Sequence, residues 1–176
     1  DGRLSVRDRA LFRMLYETAA RAQEILNLDI EDLDLPGKRA NVVRKGGDRD
    51  VVHWQSGTAR LLPHLVAGRP RGPLFLSEHA PSPSRAPAST DLDPSSGRAR
   101  LSYRRAAETF KAASGGHTLH SLRHSAISHL AEDGVPLPLL MAKSRHESLK
   151  TLQRYARPSV EAVAALTAAH DPARRR

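Results

Sequence analysis

At 176 residues the chain is long enough to bury one compact core, and 39% hydrophobic with only 4% aromatic content leaves the packing to Ala and Leu, which favours helices. It contains no cysteine, so disulfides, a thiol nucleophile and thiolate metal sites are excluded; no apolar run is long enough for a membrane span and the first residues show no signal-peptide core, so a cytoplasmic protein is expected. The formal charge of +9 is carried mostly by Arg, whose planar fork grips phosphate oxygens in pairs, and this suits a polyanionic partner, although GC-rich coding also enriches Arg.

Ser5-Val-Arg-Asp8 has the form of a capping box, and Leu11, Met14, Leu15, Thr18 and Ala19 recur behind it at helical spacing, predicting a helix over Val6–Ala20. A second short helix starts at Arg21-Ala-Gln-Glu24, with Arg21 at the junction, where irregular backbone aims a side chain into a cleft. Asp32–Leu35, Arg39–Arg44 and Arg49–Trp54 read as three short strands joined by turns at Pro36-Gly37 and Gly46-Gly47, which puts Lys45 at a hairpin tip. Ser56–Ala67 reads as a helix capped by Ser56, with Pro63 expected to kink or shorten it. Pro73–Leu76 is extended, and 77–97, rich in Pro, Ser, Ala and Asp, reads as a long surface loop of solvated filler.

Leu101–Ala113 is a further predicted helix, broken by Ser114-Gly-Gly116. The next, Leu119–Asp133, carries His120 and Arg123 three apart on one rim, beside a stripe of Leu122, Ala126 and Leu130, and Gly134 closes it. Pro138–Ala142 is short and helical; Ser148 caps a helix carrying Tyr155, which Pro158 stops. An apolar helix over 159–169 and a frayed basic tail over 171–176 end the chain. The fold class expected is α+β and mainly α-helical, with a small three-stranded antiparallel sheet, in a single domain over 1–176.

Cutting a DNA strand with a side-chain nucleophile sets specific demands. Negative charge spreads over the equatorial oxygens of the transition state, and two guanidiniums at bidentate range can hold it. A phenol must shed its proton to a base, and the leaving 5′-alkoxide needs a proton donor. Arg21, Lys45, His120, Arg123, His146 and Tyr155 together fill these jobs. Singly each has a plainer reading: Arg21 as an ion-pair partner of Glu24, Lys45 as a solvated tip, Tyr155 as a core residue reaching the surface. His120 and His124, four apart, have Ser121 rather than Glu after the first histidine and no third ligand, so no metal and no cofactor are expected.

The segments Arg21-Ala-Gln-Glu24, Lys45-Gly-Gly, His120-Ser-Leu-Arg123-His124 and His146 with Tyr155 nine residues later resemble, in order and spacing, the motif boxes of the tyrosine recombinase, or phage integrase, family. The resemblance implies that Arg21 and Arg123 clamp a scissile phosphate and that Lys45 protonates the leaving 5′-oxygen. It implies that His120 assists proton transfer, His146 hydrogen-bonds the phosphate, and Tyr155 attacks to give a 3′-phosphotyrosyl bond, without metal or ATP. It further implies double-stranded DNA as partner, self-association on DNA as a tetramer of the full-length protein, no membrane, and a place at the nucleoid. The family's N-terminal core-binding domain is not in this sequence, which reads as a catalytic domain. Two departures stand out: Ala19-Ala20 where members often have Gly-Leu, and Ser144-Arg145-His146 for the frequent Leu-Gly-His. The resemblance leaves two alternatives beside recombination, a type IB-like topoisomerase and a DNA-binding domain without turnover.

Overall fold

The computed structural model describes residues 4–44, 46–82, 84, 86–146, 152 and 160–170, and the chain forms two compact units, Asp1–His124 and Ser125–Arg176. In the first unit, α1 (Val6–Thr18) starts where expected: the Ser5 Oγ accepts from the Asp8 amide at 3.1 Å and donates to the Asp8 carboxylate at 2.7 Å. Ala10, Leu11, Met14 and Leu15 are buried on one side of it, and Phe12 meets the Phe110 ring edge-on at 4.9 Å between centroids. α1 ends two residues early, at Thr18, because Ala19 turns left-handed (φ 52°) and its amide bonds back to the Tyr16 carbonyl. α2 (Ala22–Leu26) follows with Arg21 as its N-cap residue.

The sheet is antiparallel in the order β1 (Leu33–Asp34), β2 (Arg39–Val43), β3 (Arg49–His53). Ala40 pairs with Val52 and both are buried with Val42, while Arg39, Asn41, Val43 and Arg49 alternate outward. One sheet face therefore joins the core under α1 and α2, and the other meets solvent.

α3 (Ser56–Val66) is not cut short at Pro63, which sits inside it, and its cap differs from expectation. Proline lacks an N–H and so deprives the Ala59 carbonyl of its helical donor, but Pro63 faces solvent, where water can serve that carbonyl. Ser56 is the first helical residue rather than the cap. The capping carboxylate comes from α1: Glu17 Oε2 accepts from the Gln55 amide at 2.8 Å and the Thr58 amide at 3.2 Å. A charge at a helix N-terminus is favoured by the helix dipole as well as by these bonds.

The segment after Leu76 is not filler throughout. It contains a 3₁₀ turn at Ser89–Asp91, and Asp93, 1% exposed, accepts from Arg69, the Ser96 amide and the Ser96 hydroxyl. Arg100 ties the end of the segment to the end of α2, donating to the Leu26 and Leu28 carbonyls and to the Asp29 and Asp91 carboxylates. Then α4 (Tyr103–Ala113) begins on a Ser102 cap, and α5 (Leu119–Glu132) runs into the second unit.

In the second unit Gly134 (φ 78°) closes α5 as a Schellman turn, with the Gly134 amide on the Ala131 carbonyl and the Val135 amide on the Leu130 carbonyl, each at 3.0 Å. α6 (Leu137–Ser144) is longer than expected at both ends. α7 (Val160–Ala169) leaves Val160, Val163 and Leu166 exposed. The helix expected behind Ser148 and the 171–176 tail lie outside the described residues. Seven α-helices and three strands are thus found among the described residues, in the mainly helical α+β arrangement the sequence suggests.

Candidate active site

The α1–α2 junction carries Arg21 and receives Arg123. Arg21 occupies the N-cap of α2 with extended backbone (φ −72°, ψ 143°), and Glu24 holds it twice: one carboxylate oxygen accepts the Arg21 amide at 3.0 Å, the other accepts Nη1 at 3.1 Å. Glu24 is 5% exposed, whereas the Arg21 side chain is 46% exposed. A buried carboxylate therefore anchors a guanidinium that still reaches solvent. The plain ion-pair reading and the phosphate-binding reading of Arg21 are compatible in this geometry, since one edge of the fork suffices for Glu24.

Arg123 arrives from α5 and is 3% exposed. Its Nη1 donates to the Ala19 carbonyl at 2.6 Å, two residues before Arg21 in the chain. The left-handed turn at Ala19 is what points that carbonyl out of α1's own hydrogen-bond ladder. Arg21 and Arg123 are thereby brought to one turn, from parts of the sequence about a hundred residues apart. His120, three residues before Arg123, does not share its surroundings: it is exposed, and its ring lies edge-on to His124 with centroids 4.3 Å apart. The common rim expected for His120 and Arg123 is in fact a boundary, with imidazole outside and guanidinium inside.

Arg44 and Asp48 close the β2–β3 hairpin, the Arg44 amide donating to the Asp48 carbonyl at 2.8 Å, and Gly46 and Gly47 both have positive φ. Lys45 between them lies outside the described residues, as does Tyr155. His146 belongs to the second unit. It follows Arg145, the left-handed cap of α6 (φ 55°), and its Nδ1 is 2.7 Å from the Ser144 hydroxyl.

Three contributors escaped the reading of the sequence: the Ala19 carbonyl, the Ser144 hydroxyl and Arg100. Only Ser144 leaves a trace there, as a polar residue in a motif position usually apolar. Burial works against the Arg100 charge, but Asp91 and Asp29 outweigh it and hold its pKa above the usual arginine value. That charge clamps the far end of α2 while Glu24 clamps the near end. Among the described residues no cluster of three or more potential metal ligands occurs, and no helix is long and apolar enough to cross a membrane.

A sequence profile of the phage integrase family matches residues 1–162. The tyrosine recombinase XerC of Mycobacterium sp. (strain KMS) is 34% identical over 173 residues, which cover 97% of this chain and 54% of that protein. The chain thus spans about half the length of the curated relatives it matches. The crystal structure of XerA recombinase superposes with a TM-score of 0.67 at 22% identity, covering 96% of this chain and 58% of that one. XerH recombinase, solved bound to its difH substrate before cleavage, gives a TM-score of 0.65 at 20% identity over 94% of this chain and 48% of that one. At these identities the two structures establish the likeness of fold.

Proposed function

The chain belongs to the phage integrase family, and from that membership we propose that it acts as a site-specific DNA recombinase or integrase, cutting and rejoining double-stranded DNA through a 3′-phosphotyrosyl intermediate. The Tyr155 phenol attacks the scissile phosphorus, the P–O5′ bond breaks, and Lys45 gives the departing 5′-oxygen its proton. His120 helps move the phenol's proton, and His146 hydrogen-bonds the phosphate. Rejoining reverses these steps with the 5′-hydroxyl of another strand as attacking group. One phosphodiester is exchanged for another, so the bond energy is kept and no ATP is called for.

The observation that carries this reading is the α1–α2 junction. Arg123 donates to the Ala19 carbonyl, two residues before Arg21 in the chain, and the Arg21 guanidinium is held by the buried Glu24 carboxylate. A preorganised pair of forks of this kind stabilises the charge that builds on a pentacoordinate phosphorus, with no reorganisation at the moment of reaction. The Arg-rich surface, at a formal charge of +9, adds sequence-independent attraction to the DNA backbone.

The partner set follows from the same reading. Double-stranded DNA is the substrate, and recombination between two sites needs several active centres, which is met by self-association on DNA, as a tetramer of the full-length protein. The exposed apolar residues Val160, Val163 and Leu166 of α7 are the surface we assign to that association. A chain truncated after Pro158 is expected to bind DNA yet lose higher-order assembly in gel filtration; unchanged assembly would remove α7 from that role.

The test of the chemistry is incubation with a suicide DNA substrate, in which the freed 5′-end diffuses away. A denaturant-stable protein–DNA adduct is expected, and it is expected to vanish in Tyr155→Phe. An adduct that survives this change moves the nucleophile elsewhere.

A further inference from the structure

His146 is held by a contact that determines which of its nitrogens carries hydrogen. α6 ends at Ser144, and the left-handed turn at Arg145 folds the chain back so that the His146 amide approaches the Met141 carbonyl at 3.3 Å. The ring then lies over the last helical turn, with Nδ1 at 2.7 Å from Ser144 Oγ. Ser144 is fully buried, and its Oγ is also 2.6 Å from the Leu140 carbonyl oxygen, one turn back along α6.

A carbonyl oxygen has only lone pairs, so an oxygen–oxygen approach of 2.6 Å requires the hydroxyl proton between the two atoms. Serine has one such proton, and the Leu140 carbonyl takes it. The short contact on the other side of the same oxygen must then be bridged by a hydrogen from the ring. We infer that Ser144 is a positioning residue for His146: its hydroxyl, committed to the Leu140 carbonyl, holds the ring in the tautomer with hydrogen on Nδ1 and makes Nε2 of the neutral ring an acceptor.

An unconstrained imidazole prefers its hydrogen on Nε2, so this tautomer is imposed by the neighbouring oxygen. The inference rests on the reading of His146 as a partner of the scissile phosphate, and it sharpens that reading. Phosphate oxygens accept hydrogen bonds and have none to give. A ring held in this way donates to them from Nε2 only as the doubly protonated imidazolium, whose Nδ1 hydrogen the Ser144 oxygen continues to accept. A leucine at position 144, as in the frequent form of the motif, has no hydroxyl with which to impose this.

Ring nitrogen resonances report the tautomer directly. In long-range ¹H–¹⁵N spectra of the ¹⁵N-histidine-labelled chain, with the His146 signals identified by their loss in His146→Gln, Nδ1 of the neutral ring is expected in the protonated range and Nε2 in the unprotonated range. In Ser144→Ala the two shifts are expected to move towards each other or exchange, while Ser144→Thr keeps the native pattern. A native spectrum with the hydrogen on Nε2 overturns the inference by itself, even if Ser144→Ala fails to fold; a native pattern unchanged in folded Ser144→Ala overturns it as well. The phosphate reading is tested separately. If His146→Ala forms the covalent adduct at the native rate, that reading fails while the tautomer assignment stands.

Discussion

Two helices of this protein end alike, each beside a residue of the proposed site, and they use the ending differently. α1 stops at Ala19 (φ 52°, ψ 27°), two residues before Arg21, and α6 stops at Arg145 (φ 55°, ψ 39°), immediately before His146. Both caps are left-handed, both fall where the family motif often has glycine, and each costs roughly 1–2 kcal/mol for its Cβ. At the first, the backbone is the functional part: the Ala19 carbonyl receives Arg123. At the second, side chains are: Arg145 is 7% exposed, and the reversal lets His146 reach the Ser144 hydroxyl. A site can thus be framed by main-chain atoms, which tolerate substitution at the framing residue, or by side chains, which do not.

The largest effect is expected at the guanidiniums that the first cap serves. Arg123→Lys and Arg21→Lys replace a fork with a point charge, which cannot hold a second partner and a phosphate in fixed geometry. Adduct formation on a suicide substrate should slow by about 100-fold or more, with DNA affinity by gel shift much less affected. Parallel losses of cleavage and binding would mean that these arginines merely attract DNA.

Next comes the frame around α2. Arg100 holds its carbonyl end, and the segment that carries Arg100 is fixed through Asp93. Burial pushes the Asp93 carboxyl up, but hydrogen bonds from Ser96 and Arg69 outweigh this and hold its pKa below the usual aspartate value. A depressed folded-state pKa stabilises the fold above the unfolded pKa, near 3.9, and the contribution is lost as pH falls through the folded value. Asp93→Asn should therefore cost roughly 1–3 kcal/mol at neutral pH, and its gap from the native chain should narrow in acid. A gap that stays constant down to acid unfolding would assign the loss to shape rather than charge.

What the sequence disclosed and what it hid divide along the same line as the two caps. Hydrophobic spacing located α1 and α5, and short strand-like runs punctuated by two glycine turns located the hairpin, because those signals are local. Arg21 and Arg123 were legible as chemistry, since their residue types and motif spacing speak for themselves. The contacts that frame them were not. Glu17 caps α3 from 38 residues away, Arg100 reaches α2 from 72 and 74 away, and Arg123 reaches Ala19 from 104 away. None of these pairs leaves a periodic trace. Pro63 does not end α3, because its helix-breaking effect depends on which side of the helix it faces, and that is set by tertiary packing. The burial of Arg123 beside an exposed His120 is a matter of the same kind.

The smallest effects test the comparison most directly. Arg145→Gly relieves a left-handed Cβ but removes a buried side chain whose aliphatic stem packs, so a net loss of about 1 kcal/mol is expected. For Ala19→Gly the balance is nearly even. Relief of about 1–2 kcal/mol is set against roughly 0.4–1 kcal/mol of unfolded-chain entropy and about 0.8 kcal/mol for one buried methyl. Its melting temperature should stay within about 4 °C of the native value, and adduct formation should be unchanged, because the carbonyl that receives Arg123 belongs to the backbone. A clear loss of cleavage in a folded Ala19→Gly chain would show that the methyl, and not the carbonyl alone, holds the junction, and the contrast between the two caps would then disappear.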